Sequence, residues 1–194
     1  MTTVKLLSAV DLKSRFKKIA PFMSTDDTRY YLNGVYFEYK NQHLKATATN
    51  GQILCSMEWE LNEESEDGEF NIICPALAVK HLLKIISAKS ATDGGVLLNV
   101  SEDRKYIEFD FFDYKYKVAC VDGTFPDYTK VIPNANERIT KGLNAKYLVS
   151  VLSALGNSPV NIEVDKLEGV EGQAHLFSSD DEDGIKCVIL PMRV

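Results

Sequence analysis

The sequence predicts an α+β fold made of three strand-helix-strand units, with helices on one face of antiparallel sheets. Two observations carry this. A short apolar strand, a capping residue and an amphipathic helix recur three times, at a spacing longer than that of common solenoid repeats. Between the helices, runs of β-branched and aromatic residues fill the intervals, and strands grouped around single helices suit antiparallel sheet covered on one side. A unit with one buried face must pair with another such unit. Three copies therefore leave one unpaired.

The first copy begins at Val4–Leu7, with Ser8 as cap and a helix over Ala9–Ala20. Leu12, Phe16, Ile19 and Ala20 form its apolar stripe, Ser8 and Asp11 give the start signal, and Pro21 ends it. Its polar face carries Lys13, Arg15, Lys17 and Lys18. Strands are expected over Tyr30–Tyr39, Leu44–Ala48 and Ile53–Trp59, the last two joined by a tight Asn50-Gly51 turn. The second copy opens with Phe70–Cys74 and a helix from Pro75 to about Ser87, Pro being tolerated where the N–H has no helical partner. Ala78, Leu82, Ile85 and Ile86 form the stripe, with Lys80, His81, Lys84 and Lys89 near the polar face; strands follow at Val96–Val100, Tyr106–Phe112 and Tyr116–Val121. The third copy has Ile139–Leu143, Asn144 as cap and a helix to Leu155 that buries Leu148, Val151, Leu152 and Leu155, with Gly156 as a left-handed C-cap. Its polar face, Lys146, Ser150, Ser153 and Asn157, is nearly uncharged. Strands at Val160–Val164, Gln173–Ser178 and Lys186–Leu190 close the chain.

The 194 residues carry 22 Lys and Arg against 28 Asp and Glu, a net charge of -6. This excludes a surface that is basic throughout, but a local basic patch depends on placement rather than on the sum. No apolar run reaches the roughly 18 residues of a membrane span, and no signal-peptide pattern opens the chain; a cytoplasmic location is expected. Cys55, Cys74, Cys120 and Cys187 lie apart in apolar runs without a C-x-x-C, which reads as buried free thiols rather than a metal or redox site. The acidic stretches Glu63, Glu64, Glu66, Asp67 and 180–183 lack calcium-loop spacing and read as solvated connections. His43, His81 and His175 have no metal spacing, no nucleophile or phosphate-loop motif occurs, and Asp127 has no carboxylate partner. No enzyme activity, cofactor or metal is expected.

Three stretches stand out: Thr28-Arg29-Tyr30-Tyr31-Leu32-Asn33-Gly34-Val35 followed by Ala46 to Leu54; Asp122-Gly123-Thr124-Phe125-Pro126-Asp127-Tyr128; and the ending Leu190-Pro191-Met192-Arg193-Val194. In this order they resemble the bacterial β sliding clamp family, the processivity subunits of replicative DNA polymerases, over nearly the whole chain. The resemblance implies a DNA clamp-like fold. Residues 1–123 are similar to the family's complete middle domain, 124–136 to a linker, and 137–194 to the second half of its last domain. With Met1 ahead of a complete unit and Arg193 at the family's terminus, the expectation is a compact clamp. Asn50, Gln52 and Ile53 depart from the family's usual turn residues, and Ala76 and Leu77 stand where it often has basic ones.

The resemblance implies a ring that encircles duplex DNA without reading sequence. Phosphates would face Lys13, Arg15, Lys17, Lys18, Lys80, Lys84 and, less, Lys146. It also implies a hydrophobic groove for peptide tails of polymerases and clamp loaders. That groove would comprise Leu32, Thr49, Gly51, Gln52, Ile53 and Leu54; Pro126, Lys130 and Val131; and Asn144, Tyr147, Val188, Ile189, Leu190, Pro191, Met192 and Arg193. Ile53 makes the rim less polar than the family's. Family rings hold twelve such units, so four three-unit chains complete the count, and a tetramer of dihedral symmetry is expected over a dimer, with no membrane partner. The alternative is a decoy or adaptor that keeps the groove and encircles nothing.

Overall fold

The structure is a computed structural model and describes residues 1–6, 8–59, 61, 65–86, 95–111, 114–131, 142–155, 159–164, 175–178 and 186–189. The chain forms two compact units, Met1–Asp127 and Tyr128–Val194.

The first unit contains two repeats of the same order. The first is β1 (Thr2–Leu6), α1 (Ala9–Ile19), β2 (Gly34–Lys40), β3 (His43–Thr49) and β4 (Leu54–Trp59). The second is β5 (Phe70–Pro75), α2 (Ala76–Ile85), β6 (Val96–Val100), β7 (Tyr106–Phe111) and β8 (Tyr114–Ala119). The two antiparallel sheets run β1-β6-β7-β8 and β4-β3-β2-β5. Each repeat therefore gives its leading strand to the other's sheet: Leu6 pairs with Val96, and Cys74 with Val35. The close approach of β5 to β2 requires Gly34, where a Cβ would stand 2.2 Å from the Cys74 carbonyl oxygen.

One core lies between the sheets and the two helices. Alternation places Val35, Phe37 and Tyr39 of β2, and Val96, Leu98 and Val100 of β6, on the inner faces, all buried. From α1, Ala9, Leu12, Phe16 and Ile19 enter this core; from α2, Ala78, Val79 and Leu82 do so. Phe16 is its hub. Its ring lies 6.3 Å from Phe37 and 6.4 Å from Trp59 in its own repeat, and 6.2 Å from Phe109 in the other. Such tilted and edge-on pairs add to the gain from burial alone.

In the second unit, α3 (Ala145–Ala154) lies beside a three-stranded sheet of order β11-β10-β9, formed by β9 (Asn161–Val164), β10 (His175–Ser178) and β11 (Lys186–Ile189). Its core is small: Leu155, Phe177 and Ile189 are buried, with Leu143, Leu148, Val151, Val160 and Cys187 packed against them.

The helix starts form as the sequence predicts. Ser8 Oγ accepts from the Val10 amide at 3.1 Å, and Asn144 Oδ1 from the Lys146 amide at 2.9 Å. Pro75 differs: it is the residue before α2 rather than its first, and the Ala76 amide donates to the Asn33 carbonyl at 2.8 Å. The strand expected from Tyr30 begins only at Gly34, because Asp27–Leu32 winds into 3-10 turns held by the Asp26 side chain. The last strand of the second repeat lies two residues early, at Tyr114–Ala119. Leu152, expected in the core, is 39% exposed, because nothing described covers that face of α3. Of the four cysteines only Cys74 is fully buried; Cys55, Cys120 and Cys187 are half-buried. Most of the strand expected over Ile139–Leu143, together with Gly156 and Asn157, Lys89, Glu63, Glu64 and 180–183, lies outside the described residues. No helix among the described residues is long and apolar enough to cross a membrane.

Candidate functional site

The segment Asn50–Ile53 is a four-residue loop rather than a two-residue turn, since Thr49 pairs with Leu54 across the β3–β4 hairpin. Side chains build it. The buried Thr49 hydroxyl donates to the Ile53 carbonyl at 2.7 Å and accepts from the Gly51 amide at 3.0 Å. Asn50 Oδ1 accepts from the amides of Gln52 at 2.9 Å and Ile53 at 3.0 Å. With the backbone bonds satisfied internally, Ile53 is held out toward solvent, and Leu54 is half-buried beside it. Gly51 has φ +91°, a conformation that L side chains rarely adopt, and a Cβ there would sit 2.5 Å from Arg29 Nη1.

Arg29 is thus laid across the loop, and the 3-10 turn that carries it joins three stretches. Arg29 Nε donates to Asp26 Oδ2 at 2.9 Å. Asp26 Oδ1 accepts from the Thr28 hydroxyl at 2.6 Å and the Thr28 amide at 2.9 Å. The Thr28 hydroxyl, then the Arg29 guanidinium and the Thr28 amide, hold the Asp26 carboxyl down at about 2. Next in the turn, Tyr30 and Tyr31 make an edge-on pair with centroids 5.9 Å apart, and a Cβ on Gly123 would meet the Tyr31 Cβ at 3.0 Å. The turn therefore brings loop 50–53 and the segment around Gly123 to one neighbourhood. Phe125, two residues on, is buried and stacks on Tyr36 with centroids 4.6 Å apart and planes 6° apart, which fixes the chain where Pro126 emerges exposed. Arg29, Tyr30 and Tyr31 were not among the expected groove residues; the Thr28-to-Val35 motif that contains them was the available signal.

Other expected groove residues divide by burial. Leu32 and Thr49 are buried, so they support the surface rather than form it; Gly51, Gln52 and Ile53 are exposed. In the second unit, Lys130 is exposed and Val131 closes a 3-10 turn over Tyr128–Val131. Asn144 is occupied as the α3 cap, Tyr147 and Val188 are exposed, and Ile189 belongs to the small core. Leu190, Pro191, Met192 and Arg193 lie outside the described residues.

The expected DNA-facing cations also separate. Arg15 is committed to the fold: Nε donates to Asp11 Oδ2 at 2.7 Å, Nη1 to the Glu58 carbonyl at 2.5 Å, and the guanidinium lies over the Trp59 ring at 5.1 Å. Lys13 Nζ donates to the Ile86 carbonyl at the C-terminal end of α2, where a cation complements the helix dipole. Lys17 and Lys18 in the last turn of α1, Lys80 and Lys84 on α2, and Lys146 on α3 are exposed. Helices α1 and α2 touch, so four of these five ammonium groups are carried by adjoining helices.

Residues 7–127 match the family described as DNA polymerase III beta subunit, central domain. The beta sliding clamp of Caulobacter vibrioides is 34% identical over 141 residues, 71% of this chain and 35% of that protein. The Vibrio cholerae beta sliding clamp is 31% identical over 127 residues, 66% of this chain and 33% of that one. The chain thus spans about a third of the length of the curated relatives it matches. Among solved structures, a DnaN sliding clamp from Bartonella birtlesii bound to griselimycin superposes with a TM-score of 0.75 at 27% identity, covering 98% of this chain and 51% of that one. The Helicobacter pylori beta clamp bound to a DNA ligase peptide has a TM-score of 0.71 over 97% of this chain and 49% of that one; at 17% identity it shows the fold alone. The central-domain match covers nearly all of the first unit and more than half of the sequence, and the chain belongs to the DNA polymerase III beta subunit family.

Proposed function

We propose that this chain is a DNA sliding clamp-like processivity factor. It encircles duplex DNA without reading sequence and tethers polymerase, clamp-loader or other replication proteins through a hydrophobic peptide-binding groove. It performs no catalysis of its own. The observation that carries the reading is the braced loop 50–53, which holds out Ile53 beside Leu54 on a domain of the clamp family. Apolar side chains on a rigid loop suit varied hydrophobic peptide anchors. By resemblance to the family, Asn144, Tyr147 and Val188 to Met192 are assigned to peptide binding as well. The lysines of α1 and α2 neutralise phosphates, which makes DNA retention weak and salt-dependent. Four chains supply the twelve repeats of a ring, so the working form is a homo-tetramer rather than a dimer.

Titration of a fluorescent clamp-binding peptide tests the groove: saturable binding is expected, with Leu54→Ala or Met192→Ala weakening it about tenfold, the scale of losing one apolar anchor. Retention on circular DNA tests the ring: reversing Lys17 and Lys18 to Glu is expected to abolish it and leave peptide binding intact. Absence of saturable peptide binding overturns the groove. Peptide binding without DNA retention by the unaltered protein overturns encirclement in favour of an adaptor or decoy.

A further inference from the structure

The two repeats of the first unit treat the outer edges of their leading strands differently. Along β1, chain that follows β4 covers the edge. The Lys5 amide donates to Ser65 Oγ at 3.0 Å, the Glu66 amide to the Thr3 carbonyl at 3.0 Å, and the Thr3 amide to Glu66 Oε2 at 2.8 Å. The β2–β3 loop holds the same segment from the side. There Gln42, at φ 63°, donates through Nε2 to the Ser65 carbonyl at 3.4 Å and to Asp67 Oδ1 at 2.7 Å. An acidic segment, Ser65-Glu66-Asp67, thus lies against β1 through main-chain bonds and carboxylates.

Strand pairing aligns β5 with β1, since Cys74 meets Val35 as Leu6 meets Val96; Asn71 and Ile73 then correspond to Thr3 and Lys5. The match begins alike: the Val121 amide donates to the Ile73 carbonyl at 2.9 Å, as Leu61 bridges to Leu6. The chain then leaves β5, and Phe125 stacks on Tyr36. Alternate residues of a strand point their main-chain groups to the same edge. The Ile73 amide and both main-chain groups of Asn71 therefore face the edge that the Ile73 carbonyl faces. Among the described residues nothing pairs with these three, and they border a cavity of about 490 Å³ lined by the first unit. Ile73, Tyr36 and Phe125 give it an apolar and aromatic lining. On its exposed side stands Arg104 of the β6–β7 loop, the counterpart of Gln42 and likewise left-handed at φ 58°, which is uncommon for a residue with a side chain. Arg104 Nη1 donates to Asn71 Oδ1 at 2.6 Å and Nη2 to the Glu69 carbonyl at 3.5 Å. A guanidinium has five donors, so capacity for a carboxylate remains. Lys105 adds a second cation, and Asp103 and Asp122 also border the cavity. The Asp103 carboxylate is bound within its own loop, by the Ser101 hydroxyl at 2.7 Å and the Lys105 amide at 3.2 Å.

We infer that this cavity binds an extended acidic peptide of a partner protein, laid along β5 as Ser65–Asp67 lies along β1. A hydroxyl or carbonyl of the peptide accepts from the Ile73 amide. A peptide amide donates to the Asn71 carbonyl, and a carboxylate accepts from the Asn71 amide. A second carboxylate meets Arg104, where Asp67 meets Gln42 in the first repeat. There the partner of the acid is a neutral amide; here it is a guanidinium, which binds a carboxylate more strongly. Addition along a strand edge draws affinity from the main chain and selectivity from the side chains. None of residues 50–53 lines the cavity, so this site is separate from the proposed groove, and it does not depend on the chain encircling DNA.

The probe is a fluorescein-labelled peptide Ser-Glu-Asp-Gly-Glu, the sequence of residues 65–69, titrated against the full chain and followed by anisotropy. Saturable binding is expected, with slowed amide exchange at Asn71 and Ile73. The neutral peptide Ser-Gln-Asn-Gly-Gln is expected to bind about tenfold more weakly, the scale of one lost charge-assisted hydrogen bond. Arg104→Glu is expected to weaken binding of the acidic peptide by at least as much, and Arg104→Lys by less. Ala119→Phe fills the cavity from an exposed position and leaves Arg104 in place, so its expected loss of binding does not depend on the loop surviving a charge reversal. Leu54→Ala is expected to leave this binding unchanged, which separates the site from the proposed groove. Absence of saturable binding, equal binding of the neutral peptide, parent affinity in Arg104→Glu or Ala119→Phe, or loss of binding in Leu54→Ala would each overturn the inference.

Discussion

Replacing Thr49 by Val changes almost nothing in shape and removes the two hydrogen bonds that brace loop 50–53, at 2.7 Å to the Ile53 carbonyl and 3.0 Å from the Gly51 amide. Each such bond contributes about 0.5–1.5 kcal/mol net, and a buried partner left unpaired costs more than the bond was worth. Both bonds are partly buried, which limits how far water takes over the lost contacts. The expected loss is therefore about 1–3 kcal/mol, while Asn50 still holds the other two loop amides. The assay is urea unfolding followed by tryptophan fluorescence. The single tryptophan, Trp59, ends the same hairpin and packs on Phe16 and Phe37. With a urea slope of about 1–3 kcal/mol per molar, the midpoint drops by about 1 M at unchanged slope. Peptide affinity falls severalfold as well, because the loop no longer fixes Ile53. A variant with both the midpoint and the peptide affinity of the parent would refute the claim that Thr49 braces the site.

Two further outcomes follow from the same turn. Gly51→Ala forces a side chain into the left-handed region and onto Arg29 Nη1, so peptide affinity weakens and stability drops by about 1 kcal/mol, both readable in the same titrations. The Asp26 carboxyl, held at about 2 against an ordinary 3.8, contributes stability that is present above pH 3.8 and lost as pH falls through 2. The Arg29 contact is therefore expected to persist at pH 4, as seen in the Tyr30 and Tyr31 ring resonances; Asp26→Asn removes that acid limb, and loss of the contact already near pH 5 would contradict the assignment.

Local features were legible wherever a side chain acts within a few residues of itself. Ser8 and Asn144 cap the helices they announce, and Asn50-Gly51 marks a reversal. Residues 30–33 were misread because two tyrosines favour strand, while the carboxylate of Asp26, four residues earlier, turns the backbone first. The tie of Arg15 to Asp11 was visible as an i,i+4 pair, but its reach to Glu58 and Trp59, and that of Lys13 to Ile86, depends on distant chain that no periodicity reveals. Leu152 reads as core by spacing and is exposed because nothing described covers that face of α3. In the candidate site, the motif marked residues 49–54; the close approach of Arg29 to Gly51 is a tertiary contact and was missed.

The exchange of leading strands in the first unit also governs how the chain acquires its fold. Strand β1 cannot close its ladder until Val96–Val100 has been made, and β2 waits for Phe70–Pro75. Neither repeat can finish before the other, so the unit gains its stability late and at once, unlike solenoids whose repeats add one neighbour at a time. Pairings this distant in sequence slow folding, since loop closure is lost before contacts compensate. On the ribosome, the first repeat would emerge with its β2 edge unprotected, making chaperone engagement during synthesis a property of the topology.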